Sequence, residues 1–137
     1  MIFALQFFKK FHKTIIWGIA MFYLLFSPSK ALPKTGFFNI PHFDKLMHFG
    51  MFAILVFLMW LESGKAQNDK NRLRVYFSIS AIFFAALSEI VQHNFIAGRS
   101  GNVLDFLADL AGFLTGFIFY VFFWHKLIAR YRFLQKL

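Results

Sequence analysis

The chain has 137 residues, of which 59% are apolar, 23 are phenylalanine and only 15% are charged, whereas charged residues make up about 25% of a typical soluble domain. A small domain keeps a large surface for its volume, so this composition excludes an ordinary water-soluble domain and predicts a membrane protein. Cysteine is absent, which excludes a disulfide framework and a thiolate metal site, and the net charge of +9 comes from basic residues that flank the apolar stretches.

The first apolar stretch, at about 14–31, is the shortest. It follows three lysines and ends near Ser29–Ala31, a pattern that a signal peptide with a small-residue cleavage site would also show. A retained first helix and a cleaved signal peptide are therefore both open. The orientation predicted for the following helices is the same in either case.

Three further apolar stretches, at about 43–62, 75–96 and 103–125, are long enough for helices that cross the bilayer, which takes about 20 residues. The sequence has no internal repeat, so residues 1–137 are expected to form a single domain. The predicted fold class is all-α, an integral membrane four-helix bundle with both termini in the cytoplasm.

The orientation follows from the basic residues. Eleven of the 15 lysines and arginines lie before the first predicted helix, between the second and third, or after the fourth. By the positive-inside rule, both termini and the loop 62–74 then face the cytoplasm. The positive charge is explained by topology and by attraction to anionic lipid headgroups. Nucleic acid is not expected as a partner, because no separate basic domain exists.

Ionisable side chains of the third and fourth predicted helices fall at matching depths. The loop between these helices is short, so they should be antiparallel neighbours, and positions equidistant from Arg99 should lie at equal depth. Glu89 is then level with Asp109, and His93 with Asp105. At about 1.5 Å per residue, Glu89 and Asp109 lie on the order of 10 Å below the outer ends of their helices.

The second predicted helix enters the membrane from the same side. It begins with Asp44 and Lys45 at its mouth and carries His48 one turn deeper, near the same layer. On the fourth helix the two aspartates share a stripe with Gly112 and Gly116, a small-xxx-small pair that allows close approach of a neighbouring helix. The acids should consequently point into the bundle.

Hydrogen bonding between helices is one explanation for the buried polar residues, since each such bond contributes about 0.6–2 kcal/mol. This explanation is favoured for Ser88, Gln92 and Asn102. Charged groups differ, because one at mid-membrane costs roughly 2.5–3.5 kcal/mol. Glu89 and Asp109 would also repel each other unless a cation, a proton or a metal lay between them. The sequence therefore favours a functional role for the charged residues.

The same residues form a recognisable pattern. It consists of the run DKLMHFGMF, Glu89-xx-Gln92, Arg99 and Asp105-xxx-Asp109-xx-Gly112-xxx-Gly116. This pattern resembles the VanZ-like family of small bacterial membrane proteins. The resemblance implies a four-helix integral membrane protein whose founding member is linked to teicoplanin resistance, a glycopeptide phenotype of the cell envelope. The position of Asp109 is commonly Asn in that family, so this chain carries an extra acid.

Three functions are compatible with these charged and polar residues. The first is a binding or resistance module, linked to glycopeptide (teicoplanin) resistance, in which Lys45, His48 and Arg99 engage the anionic headgroup of a lipid or lipid-linked envelope intermediate. The fork of an arginine suits phosphate. The second is a membrane-embedded acid/base or metal-dependent enzyme acting on a lipid substrate, with Glu89, Asp105 and His48 as catalytic candidates. The third is a structural membrane scaffold whose cluster fixes helix register.

The spacing Asp-xxx-Asp is a weak motif, and no serine or cysteine nucleophile has evident partners. Carboxylates and imidazole are compatible with a divalent metal, but we assign no metal-binding residue and no cofactor. The predicted ligand-binding residues are Asp44, Lys45, His48, Glu89, Gln92, Arg99, Asp105 and Asp109. The predicted partners are membrane lipids or a lipid-linked envelope intermediate, in the cell (inner) membrane, and the oligomeric state is left open.

Overall fold

The computed structural model describes residues 2–28, 42–64, 70–99, 101–124 and 126–127. All regular structure within these residues is helical, which confirms the all-α fold class. The helices are α1 (Ile2–Lys10), α2 (His12–Phe26), α3 (Phe43–Ser63), α4 (Lys70–Phe95) and α5 (Val103–Ile118), which continues as a π-helical segment, Phe119–Trp124.

Three helices are long and apolar enough to cross a membrane. They are α3 with 21 residues, α4 with 26, and Val103–Trp124 with 22. The chain is therefore a membrane protein. Helix α2 is shorter: its 15 residues rise about 22 Å, less than the roughly 30 Å of a typical hydrocarbon core.

Helix α2 ends earlier than the predicted range 14–31. Ser27 already has an extended backbone (φ −72°, ψ 136°), as expected for a residue that precedes a proline, here Pro28. The predicted last residues of this helix, with the alternative cleavage signal at Ser29–Ala31, lie outside the described residues. The loop residues 65–69 do so as well.

Helix α1 was not predicted. Its last residue is followed by Phe11, which is 3% exposed and packs edge-on against Phe77 of α4 with ring centroids 5.3 Å apart. This aromatic contact joins the α1–α2 corner to α4.

Helices α3 and α5 pack backbone against backbone. A Cβ atom placed on Gly112 would overlap the carbonyl oxygen of Phe49, and one on Gly116 would overlap that of Ala53. The small-residue pair therefore allows the close approach that its spacing indicates, and the partner of this stripe is α3 of the same chain. Asp105 and Asp109 lie on the same stripe and are buried.

The hydrophobic core is small and lies between α2, α3 and α4. It contains Met21, Leu25, Met51, Phe52, Leu55 and Ala85. Many large apolar side chains point outward instead, and Ile16, Phe83 and Phe95 are each more than 60% exposed. Such an outer surface suits lipid rather than water. Part of the abundant phenylalanine, Phe83 and Phe95 among it, therefore serves as lipid-facing surface.

Candidate functional site

The first layer of the site joins the beginnings of α3 and α5. The ammonium nitrogen of Lys45 lies 2.9 Å from Oδ1 of Asp105 and 3.1 Å from Oδ2 of Asp44. Asp105 is buried, whereas the Asp44 side chain is 54% exposed. Lys45 therefore compensates the charge of a buried carboxylate on the neighbouring helix. It also contacts the exposed carboxylate of Asp44 at the surface.

The second layer lies one helical turn deeper and unites three helices. Nδ1 of His48 on α3 lies 3.0 Å from Oδ1 of Asp109 on α5 and 3.4 Å from Oε1 of Glu89 on α4. All three residues are buried, with exposed fractions of 3%, 0% and 8% respectively. One ligand atom of each lies within 4.8 Å of the others. The shared depth of Glu89, Asp109 and His48 is as the spacing indicates.

The two layers together contain six ionisable side chains from α3, α4 and α5. We name this group the polar cluster. Its members are Asp44, Lys45, His48, Glu89, Asp105 and Asp109.

The loop before α5 holds Glu89 in place. Its Oε2 accepts a hydrogen bond of 3.0 Å from the backbone N–H of Asn102. A Cβ on Gly101 would overlap the carbonyl oxygen of Glu89, so the absence of a side chain lets this loop reach α4. The Asn102 side chain also caps α5 by accepting from the N–H groups of Leu104 and Asp105. Asn102 thus has a structural task, as expected.

Two carboxylate oxygens of the cluster have no hydrogen-bond donor among the described residues. They are Oε1 of Glu89 and Oδ2 of Asp109, and both atoms are buried. The first faces the imidazole of His48 at 3.4 Å. Buried polar atoms are nearly always paired, so these two oxygens have spare capacity for a ligand.

Gln92 and Arg99 lie apart from these contacts and bind the end of α2. Nε2 of Gln92 donates to the carbonyl of Leu25 at 2.8 Å, and Nη2 of Arg99 donates to that of Leu24 at 2.7 Å. The last carbonyls of a helix lack partners within it and attract positive charge. Both side chains therefore cap α2. Ser88 is likewise satisfied locally, by the carbonyl of Ala85.

Arg99 keeps one donor available. Its Nε is buried and has no hydrogen-bond partner among the described residues. Burial lowers the pKa of the Arg99 guanidinium from its usual value, and the carboxylates of Asp105, Asp44 and Glu89 oppose this shift. Arginine stays protonated in proteins, so the half-buried Arg99 keeps a positive charge beside the cluster. His93, predicted level with Asp105, is exposed, and Asp105 pairs with Lys45 instead.

An apolar groove of about 460 Å³ runs along the outer surface of α4 and α5. Its lining combines the apolar residues Ala86, Ile90, Val103 and Phe106 with the polar residues Glu89, His93, Asn94 and Asn102. Ile90 and Val103 are 57% and 73% exposed on the lipid-facing side. The groove therefore connects the membrane side of the bundle with Glu89.

A second buried polar group, not predicted from the sequence, occupies the opposite end of the bundle. Glu62 of α3 is 0% exposed, and its two carboxylate oxygens accept from the backbone N–H groups of Lys13 (3.2 Å) and Thr14 (3.0 Å). Nδ1 of His12 lies 3.8 Å away. Glu62 therefore caps the first turn of α2 from another helix. An acid at the end of an apolar run is typical of a solvated position, so the sequence carries little signal for this contact.

Arg74 completes this end. It donates to Oγ of Ser63 at 3.1 Å and to the hydroxyl of Tyr120 at 2.7 Å, and its guanidinium stacks 4.8 Å from the ring centroid of Trp60. A single arginine of α4 thereby connects α3 with the π-helical segment. These contacts hold the helices together and leave the polar cluster as the candidate functional site.

Comparison with known proteins confirms the predicted resemblance. The family model described as VanZ/LLP1 matches residues 2–124, which include the whole polar cluster, Gln92 and Arg99. No curated protein and no solved structure gives a significant match.

Proposed function

Because the chain belongs to the VanZ-like family of membrane proteins, we propose that it binds the headgroup of an anionic envelope lipid or of a lipid-linked envelope intermediate. The headgroup is bound at the mouth of the polar cluster, which is its outer layer at the beginnings of α3 and α5. Lys45 and Arg99 are the cationic contacts. The acyl chain lies in the apolar groove between α4 and α5.

The observation that carries this proposal is the juxtaposition of the groove and the cluster. The lining of the groove includes the apolar residues Ile90, Val103 and Phe106 together with Glu89 of the polar cluster. A lipid is the molecule in a bilayer that presents both an apolar chain and a polar headgroup to such a surface. Entry from the side requires no opening of the bundle.

Lys45 and Arg99 offer hydrogen-bond donors to an anion despite the neighbouring acids. The ammonium of Lys45 has three N–H donors, of which Asp44 and Asp105 accept two. Arg99 has a buried Nε without a partner among the described residues. Each side chain therefore has one donor that no described residue uses, and charge-assisted hydrogen bonds to a phosphate are strong.

The proposal includes an orientation. Both termini and the loop 62–74 lie in the cytoplasm, as the distribution of lysine and arginine favours, so that the cluster and groove open toward the outer leaflet of the inner membrane. The link to teicoplanin resistance that the family resemblance implies is part of the same proposal.

The experiment is a lipid titration of the purified full chain by native mass spectrometry. Phosphatidylglycerol should bind more tightly than phosphatidylcholine, and Arg99→Lys should weaken its binding about tenfold, because losing one charge-assisted hydrogen bond costs roughly 1.5 kcal/mol. Arg72→Lys is the matched control, since Arg72 is exposed and bonds only to Tyr76 in the described structure.

Two results would contradict the proposal. One is equal affinity for the two lipids. The other is a pair of findings: Arg99→Lys binds phosphatidylglycerol like the wild type, and Glu89→Gln loses stability in parallel with any loss of lipid binding. That second combination would favour the scaffold function, in which the cluster only fixes helix register.

A second candidate function is supported by one contact. The imidazole of His48 lies 3.0 Å from Asp109 and 3.4 Å from Glu89, which lines the groove. This arrangement suits general acid/base catalysis on a bound lipid. Incubating the protein with phosphatidylglycerol and analysing the lipids by mass spectrometry tests this function. Turnover that His48→Gln abolishes would support an enzyme, and unchanged lipid would exclude turnover of this substrate.

A further inference from the structure

We propose that His48, Glu89 and Asp109 bind one divalent transition-metal ion, with Zn²⁺ as the best match to the ligand set. This site lies below the headgroup contacts of the proposed function and does not depend on them.

The geometry of the three side chains suits a metal. In a tetrahedral zinc site, bonds of about 2.0–2.2 Å place neighbouring ligand atoms about 3.3 Å apart. Nδ1 of His48 is 3.0 Å from Oδ1 of Asp109 and 3.4 Å from Oε1 of Glu89, and the set closes within 4.8 Å. Three different helices supply the ligands, so a bound ion would join α3, α4 and α5 at one point.

Unpartnered oxygens give an independent reason. Glu89 is 8% exposed and Asp109 0%, yet Oε1 of the first and Oδ2 of the second have no hydrogen-bond donor among the described residues. Oε1 of Glu89 is aimed at His48. A buried carboxylate oxygen without a donor is costly, and a metal ion removes that cost.

Charge balance points the same way. Two buried carboxyl groups face one imidazole, and with both of them ionised even a protonated His48 would leave one negative charge. The nearest ammonium, on Lys45, is bound to Asp44 and Asp105. A divalent cation neutralises both carboxylates and leaves the imidazole neutral, the form in which histidine binds metals.

The ligand types decide which ion is expected. Mg²⁺ and Ca²⁺ prefer oxygen ligands, whereas imidazole together with carboxylates suits Zn²⁺ and, with lower affinity, Mn²⁺. Asp105 is excluded from the ligand set because Lys45 occupies its Oδ1 at 2.9 Å. Three protein ligands leave a fourth position open, as in catalytic zinc sites.

Metal binding is tested on the purified full chain after treatment with a chelator. Titration with ZnCl₂, followed by removal of free ion and elemental analysis, should give about one Zn²⁺ per chain, while MgCl₂ gives none. The melting temperature should rise with Zn²⁺ by mass action. Asp109→Asn and His48→Gln should each weaken Zn²⁺ binding at least tenfold.

His93→Gln is the matched control, because its side chain is exposed and does not belong to the three ligands. This variant should keep wild-type Zn²⁺ binding, and so should Arg99→Lys. If Arg99→Lys does not affect lipid binding, the headgroup proposal fails, but the zinc test still stands because Arg99 is not a zinc ligand. Should a ligand variant fail to fold, Co²⁺ bound to the wild-type chain should give the intense visible bands of a four-coordinate ion.

The proposal is overturned by wild-type protein that binds no Zn²⁺ and shows no Co²⁺ bands. It is also overturned by folded Asp109→Asn protein that binds Zn²⁺ like the wild type, or by loss of binding in His93→Gln alone, which would assign the ion to the exposed surface.

Discussion

Lys45 and Asp105, 60 positions apart in the chain, form an ion pair of 2.9 Å between the first turns of α3 and α5. Asp105 is 4% exposed and no shorter contact to a cation is seen in the described residues. The pair therefore fixes the mouth of the polar cluster, and its two members should be energetically coupled.

Lys45→Gln should destabilise the protein, because it leaves the buried carboxylate of Asp105 without its cation. We expect a loss of about 1–3 kcal/mol, smaller than for a fully buried pair because Lys45 reaches the surface. Thermal unfolding in detergent measures this loss. The double variant with Asp105→Asn should recover part of it, and additive losses would show that the pair is not coupled.

The close packing of Gly112 against α3 can be tested by comparing an alanine substitution there with one at Gly50, which lies in open space. Gly112→Ala should push α5 away from the Phe49 carbonyl of α3 and lower the melting temperature by several degrees. Gly50→Ala, on α3, has nothing within 4 Å of the added methyl group. It should be neutral or stabilising, because alanine is favoured over glycine in helices by about 1 kcal/mol. Equal effects of the two substitutions would contradict the packing described for α3 and α5.

Glu62→Ala should destabilise α2 although Glu62 lies on α3. It removes the charged acceptor of two part-buried backbone N–H groups at the start of α2, and a hydrogen bond to a charged group contributes about 1.5–3 kcal/mol. Hydrogen exchange should then rise in residues 13–16 before it rises in α5. Asp44→Ala, an exposed acid at the other end of α3, serves as the control and should leave exchange in α2 unchanged.

The proposed topology can be tested by single-cysteine labelling, since the chain contains no cysteine. In intact cells an impermeant thiol reagent should label Ala97→Cys, in the loop between α4 and α5, and should not label Asn68→Cys. Disruption of the membrane should make Asn68→Cys reactive. The reverse pattern in intact cells would place the cluster on the cytoplasmic side.

Much of the fold and part of the site could be predicted from the sequence because the signals are local. Long apolar runs fix α3, α4 and α5, and the spacing of Asp105, Asp109, Gly112 and Gly116 places them on one face of a helix. A short loop makes α4 and α5 antiparallel, which puts Glu89 and Asp109 at one level. These inferences use only helix geometry and chain connectivity.

Contacts that depend on the relative placement of helices could not be predicted in this way. Arg99 and Gln92 reach Leu24 and Leu25 because α2 ends beside the loop after α4, and local spacing does not show which helix end lies beside that loop. The capping of α2 by Glu62 is of the same kind, since its partners are backbone groups that any residue would provide. His93 is exposed, whereas Asp105 is buried and paired with Lys45 of a third helix.

The most direct test of lipid binding at this site is a crystal structure of the full chain grown in a lipid phase that contains phosphatidylglycerol. We expect an acyl chain in the groove beside Ile90 and Phe106, with the phosphate within hydrogen-bonding distance of Arg99 Nε and Lys45 Nζ. A groove that holds lipid whose phosphate lies away from both side chains, with the ion pairs of Lys45 unchanged, would contradict this expectation.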